Sequence, residues 1–211
     1  MNKPYHEMLT SENELRELLG YPSEVVKRKS IHRLDHHCRD YIAMSPLLFL
    51  STADEHGSCD VSPRGDAPGS VLVLDEGHLV IPERPGNRRL DSLLNILANP
   101  HIGLIFLLSR GLKRPLRVNG QAYIIKDEPI LDRMRARGKR PALGIGVKVE
   151  ECYMHCAKAF KRSQVWDSGT WPAEALLPSA PAIIAAHVNA AEFTEEVVRR
   201  GIEESYEKRL Y

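Results

Sequence analysis

In the stretch "IPERPGNRRLDSLLNILANPHIGLIFLL", Ile81 to Leu108, the periodicity changes twice. An apolar run closes at Pro82, and Pro85 and Gly86 make a turn. Leu90, Leu93, Leu94 and Leu97 then recur at helical spacing until Pro100 stops the helix. The apolar run "HIGLIFLL" follows at once. Upstream, "PLLFLSTAD", "CDVSP", "SVLVLD" and "HLVIP" are short runs separated by turn residues; downstream, "LRVNGQAYII" and "GIGVKVEEC" flank a charged helical segment, "PILDRMRARGK". About five or six strands with one inserted helix predict a mainly β, split or closed antiparallel barrel, since closure removes exposed edges.

Helical segments flank the barrel. Ser11 with Glu14 three residues later has capping-box spacing before "NELRELL", and "RLDHHCRDYIAM" has helical periodicity. After Cys152, "YMHCAKAFKRSQVW" reads as helical, followed by a Pro/Ala-rich connection, "WPAEALLPSAPA", and a charged terminal helix ending "EEVVRRGIEESYEKRLY". The expectation is one domain over residues 1–211, with a helical N-terminal segment (about 1–45), a barrel (about 46–152) and a helical C-terminal extension (about 153–211).

With 29 basic against 28 acidic residues, the net field favours neither nucleic acid nor a membrane surface. No apolar run is long enough to span a bilayer, and the N-terminus lacks the apolar core of a secretory signal, so a cytoplasmic location is expected. Four scattered cysteines read as reduced thiols rather than a disulfide framework.

In a near-neutral chain, the adjacent Arg88 and Arg89 need a local reason. If Asn87 caps a helix beginning at Arg88, free N–H groups and two guanidiniums converge on one point, an arrangement suited to phosphate. The alternative is a solvated helix start. The loop "SPRGDAPGS" adds Ser62, Pro63 and Arg64 beside glycine and proline, which let a backbone approach a ligand; its alternative is an ordinary inter-strand loop.

Taken in order, "LFLSTADEHGSCDVSPRGD", the opening stretch and "LRVNGQA" resemble the FMN-binding split-barrel family related to pyridoxamine 5'-phosphate oxidase, over about Pro46 to Ile125. The later "ECYMHCAKAFKRSQVW" is similar to the C-terminal signature of one bacterial subgroup. The resemblance implies a homodimer with FMN in a groove at each end of the interface. Arg64, Arg88 and Arg89 would hold the flavin phosphate, with Arg84 in the same turn. The backbone of Ile81 and Pro82 would lie beside the isoalloxazine. Lys158, Arg162 and Trp166, at helical spacing, would close over the flavin; without the resemblance they read equally as a solvated basic face.

The departures narrow the activity. Where the oxidase has a lysine after its loop arginine, this chain continues "GDAPGS"; Pro115 replaces a glutamine, and the oxidase's C-terminal arginine–histidine motif has no counterpart. Vitamin B6 oxidation is therefore not expected. Cys152, His155 and Cys156 lack the second ligand pair typical of zinc sites, and His32, His36, His37 and Cys38 lack a carboxylate constellation, so no metal is assigned. The reading is an FMN-dependent oxidoreductase acting between a small substrate and a reduced nicotinamide nucleotide or quinone-like partner, with no catalytic side chain identified. The alternatives are a non-enzymatic flavin-binding module, or a split barrel using haem or F420.

Overall fold

Alternation of apolar and polar side chains builds the sheet, and short helices flank it. The computed structural model describes residues 4–108 and 114–211. In chain order the elements are α1 Glu12–Leu19, α2 Glu24–Arg28, α3 His36–Met44, β1 Leu47–Ala53, β2 Cys59–Gly65, β3 Leu72–Val73 and β4 His78–Glu83. There follow α4 Asp91–Ala98, β5 His101–Leu107, β6 Leu116–Ile125, α5 Glu128–Asp132, β7 Leu143–Met154, α6 Lys158–Ser163, α7 Ala180–Val188 and α8 Glu195–Lys208. The strands form one antiparallel sheet in the order β2-β1-β5-β6-β7-β4-β3. Its end strands β2 and β3 do not pair among the described residues, so the sheet is a split barrel that does not close.

In β1, Leu48, Leu50 and Thr52 turn inward while Phe49 and Ser51 stay exposed. Leu79, Leu104, Phe106, Val118 and Ile145 meet them in the core, and Leu34 and Ile42 from the α3 side seal one end. The inserted helix α4 buries Leu93 and Ile96. Its polar side is pinned to the sheet: Ser92 Oγ donates to Asp60 at 2.7 Å and Asn95 Nδ2 to Thr52 Oγ1 at 3.1 Å.

Several boundaries move. Among the described residues the sheet has seven strands rather than five or six, and the run "SVLVLD" contributes only the two-residue β3. The segment "PILDRMRARGK" is helical only over α5; Arg137 and Gly138, at φ 47° and 76°, turn the chain so that Ala136 bridges Lys139. The signature "YMHCAKAFKRSQVW" is split, since β7 runs on to Met154 and α6 ends at Ser163, where Gln164 takes φ 50°. The end of the Pro/Ala-rich connection starts α7, with Ser179 as its cap and Pro181 in the first turn. His32 lies outside the helix that begins at His36, and its Nδ1 meets the Glu150 carbonyl at 2.8 Å.

Gly120 marks a bulge where β6 shifts register against β7, and a Cβ there would collide with the Lys148 carbonyl oxygen. A backbone oxygen yields less readily than a side-chain end, so Gly120→Ala should cost about 2–3 kcal/mol. Scanning calorimetry should record a fall of several degrees in unfolding temperature; an unchanged temperature would mean that the strands relax freely.

Candidate functional site

The two ends of the split are joined by crossed ion pairs. Arg64 near the end of β2 reaches Glu83 at the end of β4 at 3.1 Å, and Arg84 reaches back to Asp66 at 2.6 Å. Arg84 also donates to the Met134 carbonyl at 2.9 Å. All four side chains are largely buried, so attraction is weakly screened but desolvation opposes it. Burial pushes the Glu83 carboxyl above the usual range, with Arg64 pulling the other way. Burial also acts upward on Asp66, but hydrogen bonds from Tyr211, the Ala67 N–H and Arg84 outweigh it and hold that carboxyl low.

Arg64 Nε and Glu83 Oε2 are buried without a hydrogen-bond partner among the described residues. Such atoms are costly to leave unmatched. One is a cationic donor and the other an acceptor, so a molecule that both accepts and donates, such as a polyol carrying an oxyanion, matches the pair.

Two adjoining cavities of about 560 and 520 Å³ lie over this network. They share Ser62, Pro63, Arg64, Arg84, Asn87 and Tyr211 as walls. The first continues to Arg88, Arg89 and the start of α4, and is also lined by Lys139 and Arg140. The second runs along Ile81 and Pro82. Among the described residues β3 pairs with Leu79 and Val80 and no strand covers that side of β4 beyond Val80, which leaves its backbone on the groove. Each volume falls within the ordinary range for a small-molecule site.

Asn87 does not cap a helix beginning at Arg88. Helix α4 starts at Asp91 with Leu90 as an uncapped N-terminal residue, and the Asn87 carboxamide instead accepts the Arg89 N–H at 3.0 Å. The cause is the backbone: Arg88 and Leu90 sit at φ 62° and 64°, left-handed values that a helix excludes and that bulky residues adopt only under constraint. The first-turn N–H groups therefore lack a side-chain cap. Arg89 pairs with Asp91 at 2.8 Å, whereas Arg88 makes no ion pair among the described residues.

Lys158 and Arg162 stand exposed on α6, while Trp166 lies beyond its end and stacks on Phe160 at 6.3 Å. None of these three lines either cavity of its own chain. Cys152 points into the core, whereas Cys156 is exposed, so the segment does not present its ligands together.

Sequence reading missed several walls. Tyr211 donates its hydroxyl to Asp66 at 2.8 Å, its main-chain oxygen accepts from Lys139 at 2.6 Å, and its ring lies under Arg84 and Arg137. The Gly-Lys-Arg-Pro turn signal at residues 138–141 was available; nothing local marked Tyr211. Chemically the site is cationic and bordered by an open strand edge.

A family profile described as pyridoxamine 5'-phosphate oxidase matches residues 34–156. No curated protein matches. Among solved structures the chain is similar to HupZ of Group A Streptococcus, at 19% identity over 57% of this chain and 92% of that one, with a TM-score of 0.46. An FMN-binding protein of Syntrophomonas wolfei gives 12%, 55%, 86% and 0.41, and the heme storage protein HutZ of Vibrio cholerae 14%, 58%, 94% and 0.42.

Proposed function

The chain belongs to the pyridoxamine 5'-phosphate oxidase family, and from that premise we propose that it binds FMN and works as an oxidoreductase on a small substrate other than pyridoxamine 5'-phosphate. One observation carries the reading: Arg64, Arg88 and Arg89 line a single cavity at the start of α4, with the Arg64 Nε buried and unmatched and Arg88 unpaired among the described residues. A phosphate of charge roughly minus two suits paired guanidiniums and free helix N–H groups. Lys139 lines the same cavity and adds to the positive field, whereas Arg140 is shared with Glu128.

Bound flavin would supply the redox chemistry, and the chain's own residues bind, orient and exclude water. Arg88 and Arg89 take the anion; the bared β4 edge at Ile81 and Pro82 offers backbone groups to a planar ring; Ser62 and Pro63 narrow the groove. The lysine and the arginine–histidine motif that serve the vitamin in the oxidase have no counterpart here.

The same reading makes the protein a homodimer. Leu94 and Leu97 on α4 and Val61 on β2 are large apolar side chains left exposed, a cost that a second copy removes. In that dimer Lys158, Arg162 and Trp166 serve the partner's groove.

The test is the absorption spectrum of the purified protein, with mass analysis of the released ligand. Paired near-ultraviolet and blue flavin bands with FMN mass are expected, together with no pyridoxal 5'-phosphate from the loaded protein. A sharp Soret band, or the single violet band of F420, would overturn the cofactor assignment. FMN without turnover on any reduced nicotinamide nucleotide would favour a non-enzymatic flavin carrier.

A further inference from the structure

Away from both cavities, two sulfur atoms meet in the core. Cys38 lies in the first turn of α3 and Cys152 in β7, 114 positions apart, with their Sγ atoms 3.3 Å apart. Both are free thiols; Cys152 is fully buried and Cys38 is 8% exposed. The chain holds each from its own side. Asp35 caps α3 and accepts the Cys38 backbone N–H at 2.9 Å. Cys152 exchanges both backbone hydrogen bonds with Ile31, at 3.0 and 2.7 Å. A disulfide of about 2.05 Å therefore needs the sulfurs to close by only roughly 1.2 Å, within reach of small side-chain rotations.

We propose that Cys38 and Cys152 are an oxidisable clasp, a dithiol that peroxide converts into a disulfide tying α3 to β7. Cys38 is the attacking sulfur. It is the more accessible of the two and lies in a helix first turn, where backbone N–H groups favour a thiolate. The hydrogen bond from Cys152 lowers the Cys38 thiol against burial and the Asp35 carboxylate, while that same contact, then burial, pushes Cys152 up.

The Cys38 sulfur attacks one peroxide oxygen, the O–O bond breaks, and water leaves, giving a sulfenic acid. The Cys152 sulfur then attacks the Cys38 sulfur; the S–O bond breaks, and the hydroxyl leaves as a second water with the Cys152 proton. Two thiols have lost two electrons to peroxide and gained one S–S bond. The exposed Cys59 and Cys156 have no thiol partner at this distance among the described residues. The closed loop is long, so the clasp raises stability chiefly by restricting the unfolded chain.

The experiment uses the Cys59→Ser/Cys156→Ser protein, which keeps only the pair. After one equivalent of hydrogen peroxide it should lose two hydrogen masses and both alkylatable thiols, and yield one cross-linked Cys38–Cys152 peptide. Its unfolding temperature should rise by about 10 °C, and dithiothreitol should reverse every change. Adding Cys38→Ala should abolish cross-link and shift together; if that variant does not fold, Cys152→Val serves the same purpose. Retention of both thiols, oxidation of either to a sulfinic acid, cross-links only between chains, or a cross-link without a thermal rise would each overturn the proposal.

Discussion

Replacing Arg88 and Arg89 together by alanine is expected to weaken FMN binding by at least about a hundredfold, because each charge-assisted contact to a phosphate contributes on the order of tenfold or more. Riboflavin, which lacks the phosphate, should lose little. Arg88 carries the larger share, since it has no ion pair among the described residues, while Arg89 must first be shared with Asp91. Alone, Arg88→Ala should cost about tenfold or more. The fold should survive: both side chains are exposed, so the unfolding temperature should stay within about 2 °C. Calorimetric titration of the folded double variant decides the matter; unchanged FMN affinity would remove the pair from the site and leave Arg64 as its anchor.

The second large effect concerns stability. Arg64→Ala strands Glu83, some 19% exposed, as a carboxylate without its countercharge. Removing one partner of a buried pair costs about 3–5 kcal/mol, and the residual exposure here brings the expectation to about 2–3 kcal/mol. Burial already raises the Glu83 carboxyl in the folded chain, and loss of Arg64 raises it further. A carboxyl raised on folding contributes stability below its unfolded value and loses it as pH rises through the folded value. The deficit of Arg64→Ala should therefore be small in the acid range and grow through and above the ordinary carboxylate range. Adding Glu83→Gln should recover most of it at neutral pH. Denaturant unfolding of the two variants at several pH values checks this; equal deficits with and without Glu83→Gln would mean that the pair does not hold the split together.

Much of the architecture was legible because it rests on local signals. The Ser11–Glu14 capping box forms as spaced, and each run read as a strand between Leu47 and Met154 contributes one. The split form follows from the family likeness carried by the same runs. Local reading failed where tertiary contacts set the backbone. Nothing in "PGNRRLD" announces left-handed Arg88 and Leu90, and these residues move the helix start from Arg88 to Asp91. Arg64, Arg84, Arg88 and Arg89 were legible as a cluster because they flank two turns. Their carboxylate partners Asp66 and Glu83 were not, since the crossed pairing exists only once β2 and β4 approach across the split. The contact of Tyr211 with Asp66 spans 145 positions, beyond any sequence window.

A cationic groove that selects a flavin by its phosphate distinguishes FMN from riboflavin, and paired calorimetric titrations of the wild-type protein with the two flavins read that difference. FMN is predicted to bind at least about a hundredfold more tightly than riboflavin, with a preference that shrinks as salt rises. Equal affinities for the two flavins would rule out selection by the phosphate.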